Sequence, residues 1–179
     1  MTTWIALIRG INVGGHNKMP MATLAKVLEQ AGCSAVRTYI QSGNVVFNSK
    51  SKSKTSVGKL IGDAIQDEFQ FRPEVLLLTA DELHSAIENN PFQQAVVEPK
   101  SLHFYFLATP PKSPDLAGLT KSTMTERFKL IDSVFYLHTP DGLGKSKLAG
   151  AVERKLGVSA TARNYSTVRK LSEMVSEAD

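Results

Sequence analysis

A glycine-rich polar segment follows the apolar run Ile5–Ile8 and ends at Pro20. Glycine lets backbone amides approach a bound anion closely, and the neighbouring side chains add hydrogen-bond donors. The candidate ligand-binding residues of this segment are Arg9, Asn12, Gly14, Gly15 and Lys18. These residue types predict a site for an anionic ligand, and they specify no reaction.

A second polar segment follows the apolar run Val134–His138 and contains Gly144, Lys145, Ser146 and Lys147. A strand, then Gly-Lys-Ser, then a helix is the context of a phosphate-binding P-loop. The full pattern requires glycine at position 139, where Thr139 stands, and no Mg²⁺-binding aspartate follows a parallel strand. Anion binding is therefore the favoured interpretation, and nucleotide hydrolysis is not.

Histidine and cysteine predict no metal site, because His16, His84, His103 and His138 lack ligand spacing with one another and with Cys33. No cofactor is expected. The net charge of +4 and the pI near 9.2 fit a nucleic-acid binder, but the basic excess lies in the first half of the chain, partly in a serine-rich stretch. Nucleic acid is thus one candidate partner with weak support.

Compartment follows from two absences. No apolar run approaches the roughly 18 residues that span a bilayer, so no membrane partner is expected. Cys33 is the only cysteine, so no intramolecular disulfide can form, which fits a cytoplasmic protein.

Hydrophobic periodicity predicts the order β-α-β-β-α-β in the first half of the chain. The predicted elements are a strand at Trp4–Arg9, a helix at Pro20–Ala31, strands at Val36–Gln41 and Asn44–Asn48 around a two-residue Ser42-Gly43 turn, a helix at Ser56–Phe69 and a strand at Val75–Leu78. After a short helix at Asp81–Glu88 the same order returns. Its elements are strands at Leu102–Leu107, Arg127–Ile131, Val134–His138 and Ala160–Arg163, with helices at Ser113–Met124 and Ser146–Leu156 and a terminal helix through Val175.

This repeat predicts an α+β protein of two tandem ferredoxin-like split-βαβ (βαββαβ) subdomains, with a short linker helix and a C-terminal helix. The predicted domains are residues 1–80, a linker at 81–100 and residues 101–179. In such a unit the first hairpin tip lies beside the first loop, which adds Gln41, Ser42 and Asn44 to the first cluster. The same geometry places Arg163 and Asn164 beside the Gly144–Lys147 segment as a second cluster.

Four motifs resemble those of the bacterial domain-of-unknown-function 1697 family. They are Arg9–Gly15 with Met19 and Leu24, then Tyr39–Phe47, then Pro140–Gly142 with Ser146–Leu148, and finally Thr161–Val168 with Leu171. The resemblance implies two α+β subdomains and no known substrate, cofactor or catalytic residue. Tyr165 stands where many relatives are expected to have tryptophan, which keeps an aromatic ring.

The leading hypothesis is a binding module for an anionic or phosphate-bearing ligand that uses both clusters. One alternative is an enzyme acting on a small anionic substrate, with Lys18, Lys145 and Arg163 stabilising charge and Ser42 or Ser146 near the reacting group. The other alternative is a protein-interaction or homodimerisation domain. The catalytic residues, if any, are not specified by the sequence.

Overall fold

The structure is a computed structural model that describes residues 1–177. Within this range the protein is mixed α+β, with two four-stranded antiparallel sheets and six α-helices. Its contacts divide the chain into two units, one made of Met1–His84 with the chain from Leu171 onward and the other of Ser85–Lys170. The boundaries at residues 80 and 100 stay a prediction about independently folding subdomains.

The first unit has the predicted order of elements. They are β1 (Thr2–Ile8), α1 (Met21–Gln30), β2 (Ser34–Tyr39), β3 (Asn44–Ser49), α2 (Lys54–Phe69) and β4 (Val75–Thr79), followed by α3 (Ala80–Glu88). The strands lie in the order β2-β3-β1-β4. Apolar side chains of α1 and α2, such as Leu24 and Ile61, pack on Trp4 and Phe47 of the sheet, because helical spacing collects them on one face.

The second unit repeats a four-stranded sheet, in the order β6-β7-β5-β8. Its elements are a 3-10 helix at Gln93–Val97, β5 (Leu102–Leu107), α4 (Leu116–Thr120), β6 (Arg127–Ile131), β7 (Val134–His138), α5 (Val152–Leu156), β8 (Ala160–Asn164) and α6 (Tyr165–Ser176). One face of the sheet, with Phe135 and Leu137, packs against Leu148, Val152 and Leu156. This apolar layer is the core of the second unit.

Three local predictions are wrong. The helix predicted over Ser113–Met124 is an α-helix only over Leu116–Thr120. The predicted helix Ser146–Leu156 is an α-helix only over Val152–Leu156, preceded by short 3-10 helices at Leu143–Lys145 and Ala149–Ala151. Gly144 and Gly150 disfavour helix, and Ser146 has extended backbone angles (φ −80°, ψ 112°). The predicted two-residue turn at Ser42-Gly43 is a four-residue turn over residues 40–43.

The four-residue turn closes through Asn44, whose Nδ2 donates to the Tyr39 carbonyl at 3.1 Å and to the Ser42 hydroxyl at 2.9 Å. Tyr39 and Asn44 are paired residues of β2 and β3. The side-chain amide of Asn44 therefore closes this turn, whereas backbone hydrogen bonds would close a two-residue turn. In residues 1–177 we find no helix with the length and apolarity needed to cross a membrane.

Candidate functional site

The glycine-rich loop after β1 folds as a small hairpin. The amide of His16 donates to the Val13 carbonyl at 3.0 Å, and the amide of Asn12 donates to the Asn17 carbonyl at 3.1 Å. Gly14 and Gly15 occupy the tip with φ of 58° and 80°, the combination of a type I′ turn. Both glycines are exposed, so the tip presents backbone without side chains.

Asn12 fixes this loop to the turn between β2 and β3. Its Nδ2 donates to the carbonyls of Met19 and Gln41, each at 2.9 Å, and its Oδ1 accepts from the Met19 amide at 2.8 Å. Asn12 itself lies in the left-handed region with φ 54°, which asparagine tolerates better than most residues. The Asn12–Gln41 bond joins positions 29 residues apart, so the expected approach of the two segments is present.

The turn is also held to β1 by its backbone. The Ile8 amide donates to the Gly43 carbonyl at 2.8 Å. A Cβ at Gly43 would lie 2.8 Å from the Cβ and the carbonyl oxygen of Ile8, so any larger residue here would force neighbouring atoms to shift. Asn44 is fully buried. Asn12 and Asn44 are thus structural residues that hold the site together.

The outer surface of this edge is cationic and polar. Arg9 forms an ion pair with Glu74 at 3.3 Å and remains partly exposed, while His16, Lys18 and Gln41 are exposed. Neither residues 9–20 nor residues 40–44 contain a carboxylate. We call these two stretches the N-terminal edge surface.

Glu74 was missed from the sequence because it precedes β4, far along the chain from Arg9. The pairing of Ile8 with Val75 brings the two together. The proximity of Glu74 to Arg9 therefore follows from the order of strands in the sheet, and no local sequence motif indicates it.

The second cluster is differently arranged. Ser146 accepts a hydrogen bond from the Ala149 amide at 3.1 Å, and a further bond between its side chain and Glu126, with those from nearby backbone amides, lowers the pKa of that carboxyl to about 2. Ser146 therefore ties its loop to the segment before β6. Gly144, Lys145 and Lys147 are exposed. Since no α-helix begins at Ser146, the segment lacks the helix N-terminus of a P-loop.

Arg163 and Asn164 lie at the end of β8, directly before α6. Arg163 is paired with Phe104, on the face opposite the one where Leu148, next to Lys147, packs on Leu137. Burial lowers the pKa of Arg163 to about 10. Asn164 accepts from the Thr167 amide at 3.0 Å and so caps α6.

No group of three or more His, Cys, Asp or Glu side chains within residues 1–177 is arranged to hold a metal ion. Cys33 is buried, and burial raises the pKa of its thiol. The neutral thiol that results packs in the first core and is a poor nucleophile.

Comparison with known proteins gives a family and a fold. A family model described as a protein of unknown function (DUF1697) matches residues 1–136, which include the first two sequence motifs and not the last two. The chain is also similar to the structure of the conserved bacterial protein SP0830 from Streptococcus pneumoniae, with a TM-score of 0.76 and 24% sequence identity over 98% of this chain and 99% of that chain. At this identity the likeness shows the fold alone. No curated protein matches the chain.

Proposed function

Because this chain belongs to the DUF1697 family of proteins of unknown function, we propose its function from the chemistry of its own residues. The protein is a binding module for an anionic, phosphate-bearing ligand, and the ligand lies on the N-terminal edge surface. The observation that carries this proposal is the Asn12 side chain, whose three hydrogen bonds hold the glycine tip and the β2–β3 turn in one arrangement.

Preorganisation is the physical reason. A loop that is already fixed loses little conformational entropy when a ligand binds, so more of the contact energy appears as affinity. At the exposed tip a Cβ on Gly15 would meet no heavy atom within 4 Å, and one on Gly14 would meet only the His16 ring at 3.9 Å. The space on the Cβ side of both glycines is therefore open, so a ligand can approach the backbone there, with Lys18 as the nearby cation in sequence.

The same proposal covers fold type and compartment. We infer that each unit is ferredoxin-like, since the strand orders β2-β3-β1-β4 and β6-β7-β5-β8 are the same permutation of a β-α-β-β-α-β repeat. A cytoplasmic location is supported by Cys33 as the only cysteine.

The proposal is tested by adding inorganic pyrophosphate to ¹⁵N-labelled protein and following the amide resonances of Gly14 and Gly15. We expect saturable shifts at these amides, and we expect Lys18→Gln to weaken binding about fivefold, as loss of roughly 1 kcal/mol implies. The matched control is Lys26→Gln, an exposed lysine on α1, which should leave the affinity unchanged. Pyrophosphate that shifts no amide of the N-terminal edge surface would reject the proposal.

A nucleic-acid ligand is distinguished in the same experiment with a ten-nucleotide oligothymidylate. Its affinity should fall between 50 and 200 mM salt with a log-log slope of about 0.7 for each phosphate neutralised. Pyrophosphate binding without oligothymidylate binding identifies a small phosphorylated ligand.

A further inference from the structure

The second unit contains a groove that the proposed function does not use. Two adjoining cavities, of about 220 and 410 Å³, share Glu98 and Pro140 as lining residues. One wall is the segment 92–101, and the other is formed by Arg127 and residues 138–142. We call this depression the 92–142 groove. Its volume is suited to a small organic molecule.

Flat and apolar groups form part of the walls. The ring of Phe92 lies against the imidazole of His138, with centroids 6.2 Å apart and planes inclined by 36°. Pro140 and Ala95 line the same cavity, and the side chain of Val97 at its border is 81% exposed. Such walls favour a planar ligand body, because aromatic rings bury large area with few rotatable bonds.

The cation Arg127 is among the residues that line the groove. Arg127 on β6 is paired with His138 on β7, so the two side chains share a face of the sheet. Within residues 1–177 no carboxylate forms an ion pair with Arg127. The planar guanidinium matches a carboxylate through two parallel hydrogen bonds.

Hydrogen bonds hold the wall of the groove near Ser101 and Thr139 in place. The Thr139 hydroxyl donates to the Ser101 carbonyl at 3.1 Å, and the Ser101 hydroxyl donates to the Glu98 carbonyl at 2.8 Å. Both residues are buried. Because these hydroxyls are satisfied internally, they hold the wall in place. Among the residues that the structure describes, the charged side chains along the groove are Arg127, Lys100 and Glu98, two cations against one carboxylate, which favours an anionic ligand.

We propose that the 92–142 groove binds a small aromatic carboxylate, with the ring against Phe92, His138 and Pro140 and the carboxylate on Arg127. This site is separate from the N-terminal edge surface, and it does not depend on the function proposed there. The Pro140–Gly142 motif, which the first proposal leaves unexplained, forms part of its wall.

The test uses benzoate and its neutral analogue benzamide, added to the ¹⁵N-labelled full-length protein. We expect benzoate to shift the amides of Gln94, Ala95 and Val97 and the ring resonances of His138, and benzamide to bind at least about tenfold more weakly. Arg127→Gln should weaken benzoate binding by about the same factor. The matched control is Lys129→Gln, since Lys129 is exposed on the same strand and face two residues further on.

Three outcomes would overturn the proposal. They are no benzoate shifts at the groove, equal binding of benzoate and benzamide, and an equal loss of affinity in Lys129→Gln and Arg127→Gln. The comparison of benzoate with benzamide uses unmodified protein, so it decides the matter even if a variant fails to fold.

Discussion

At the scale of single residues, several polar and glycine residues of the candidate site stabilise the fold and do not face a ligand. Asn12 and Asn44 are polar, yet they bond the backbone of their own unit. Gly43 lies between the candidate binding residues Ser42 and Asn44, yet it is buried against Ile8. Gly14, Gly15 and Lys18 are exposed, and the proposed function places the ligand beside them.

A comparison of Gly43 with Gly15 distinguishes the cost of close packing from the cost of backbone conformation, because the two glycines have nearly the same φ. Gly43 and Gly15 have φ of 77° and 80°, but only at Gly43 would a Cβ lie 2.8 Å from neighbouring atoms. We expect Gly43→Ala to lower the free energy of unfolding by about 1–3 kcal/mol more than Gly15→Ala, because only the first adds overpacking to strain. Urea denaturation of both variants measures the difference, and equal losses would contradict it.

The pKa of Glu126 makes a prediction about pH. Its carboxyl has a pKa of about 2 in the fold instead of 4.5, so the ionised group stabilises the folded state above pH 4.5 and loses this effect as the pH falls toward 2. Glu126→Gln should therefore reduce the free energy of unfolding at pH 7, and the difference from the unmodified protein should shrink by pH 3. Chemical denaturation at both pH values measures it.

The control is Glu88→Gln, which removes the same charge from an exposed glutamate on α3 and is measured at the same two pH values. If Glu126→Gln lowers the free energy of unfolding as much at pH 3 as at pH 7, the effect comes from shape and packing and the charge of Glu126 does not explain it.

At the scale of elements, the turn between β2 and β3 contains an unusual residue. Ile40 has φ 49° and its side chain is 52% exposed, although β-branched residues are strongly disfavoured in the left-handed region. The sequence pattern predicted a shorter turn because Ser42-Gly43 has the composition of a two-residue hairpin. In the structure the turn spans residues 40–43, with Asn44 bonded to Tyr39 and Ser42 on either side of Ile40.

Relief of this strain should be measurable. Ile40→Asn is expected to raise the free energy of unfolding by about 0.5–1 kcal/mol, because asparagine occupies the left-handed region at lower cost. Val13→Asn, at another exposed apolar residue without a positive φ, is the control and should bring no gain. Thermal unfolding of the two variants compares them, and a loss of stability in Ile40→Asn would show that the strain is not significant.

At the scale of the whole molecule, the end of the chain belongs to the unit in which the chain begins. Residues from Leu171 onward are grouped with Met1–His84, and Arg37 of β2 forms an ion pair with Glu177 at 3.0 Å. Leu171 is fully buried. The first unit therefore needs the end of the last helix, α6, to complete its fold.

The single tryptophan reports on this arrangement. Trp4 is buried in the first core, so its fluorescence follows unfolding of the first unit. Leu171→Ala should lower the free energy of unfolding seen by Trp4 by about 2–5 kcal/mol, as a cavity left by leucine does. Ser176→Ala, at an exposed position of the same helix, is the control. An unchanged Trp4 transition in Leu171→Ala would contradict the grouping.

Most elements could be predicted because the information is local. The strand bounds Leu102–Leu107, Arg127–Ile131 and Val134–His138 agree with the structure, since runs of apolar residues between turn residues leave little choice of conformation. The helix after Ser146 could not be predicted reliably. Ser146 has extended backbone and the α-helix begins only at Val152, whereas the apolar spacing of Leu148, Val152 and Leu156 fits a helix throughout.

The sequence by itself determined the repeat of elements and the approach of Asn12 to the β2–β3 turn, because crossovers and hairpins fix which strand ends share an edge. Only the tertiary structure decided which polar atoms remain outward. Strand register put Arg163 and the neighbour of Lys147 on opposite faces, and packing formed the groove between Phe92 and Arg127. Register and packing depend on many distant contacts at once, whereas element order depends on neighbours along the chain.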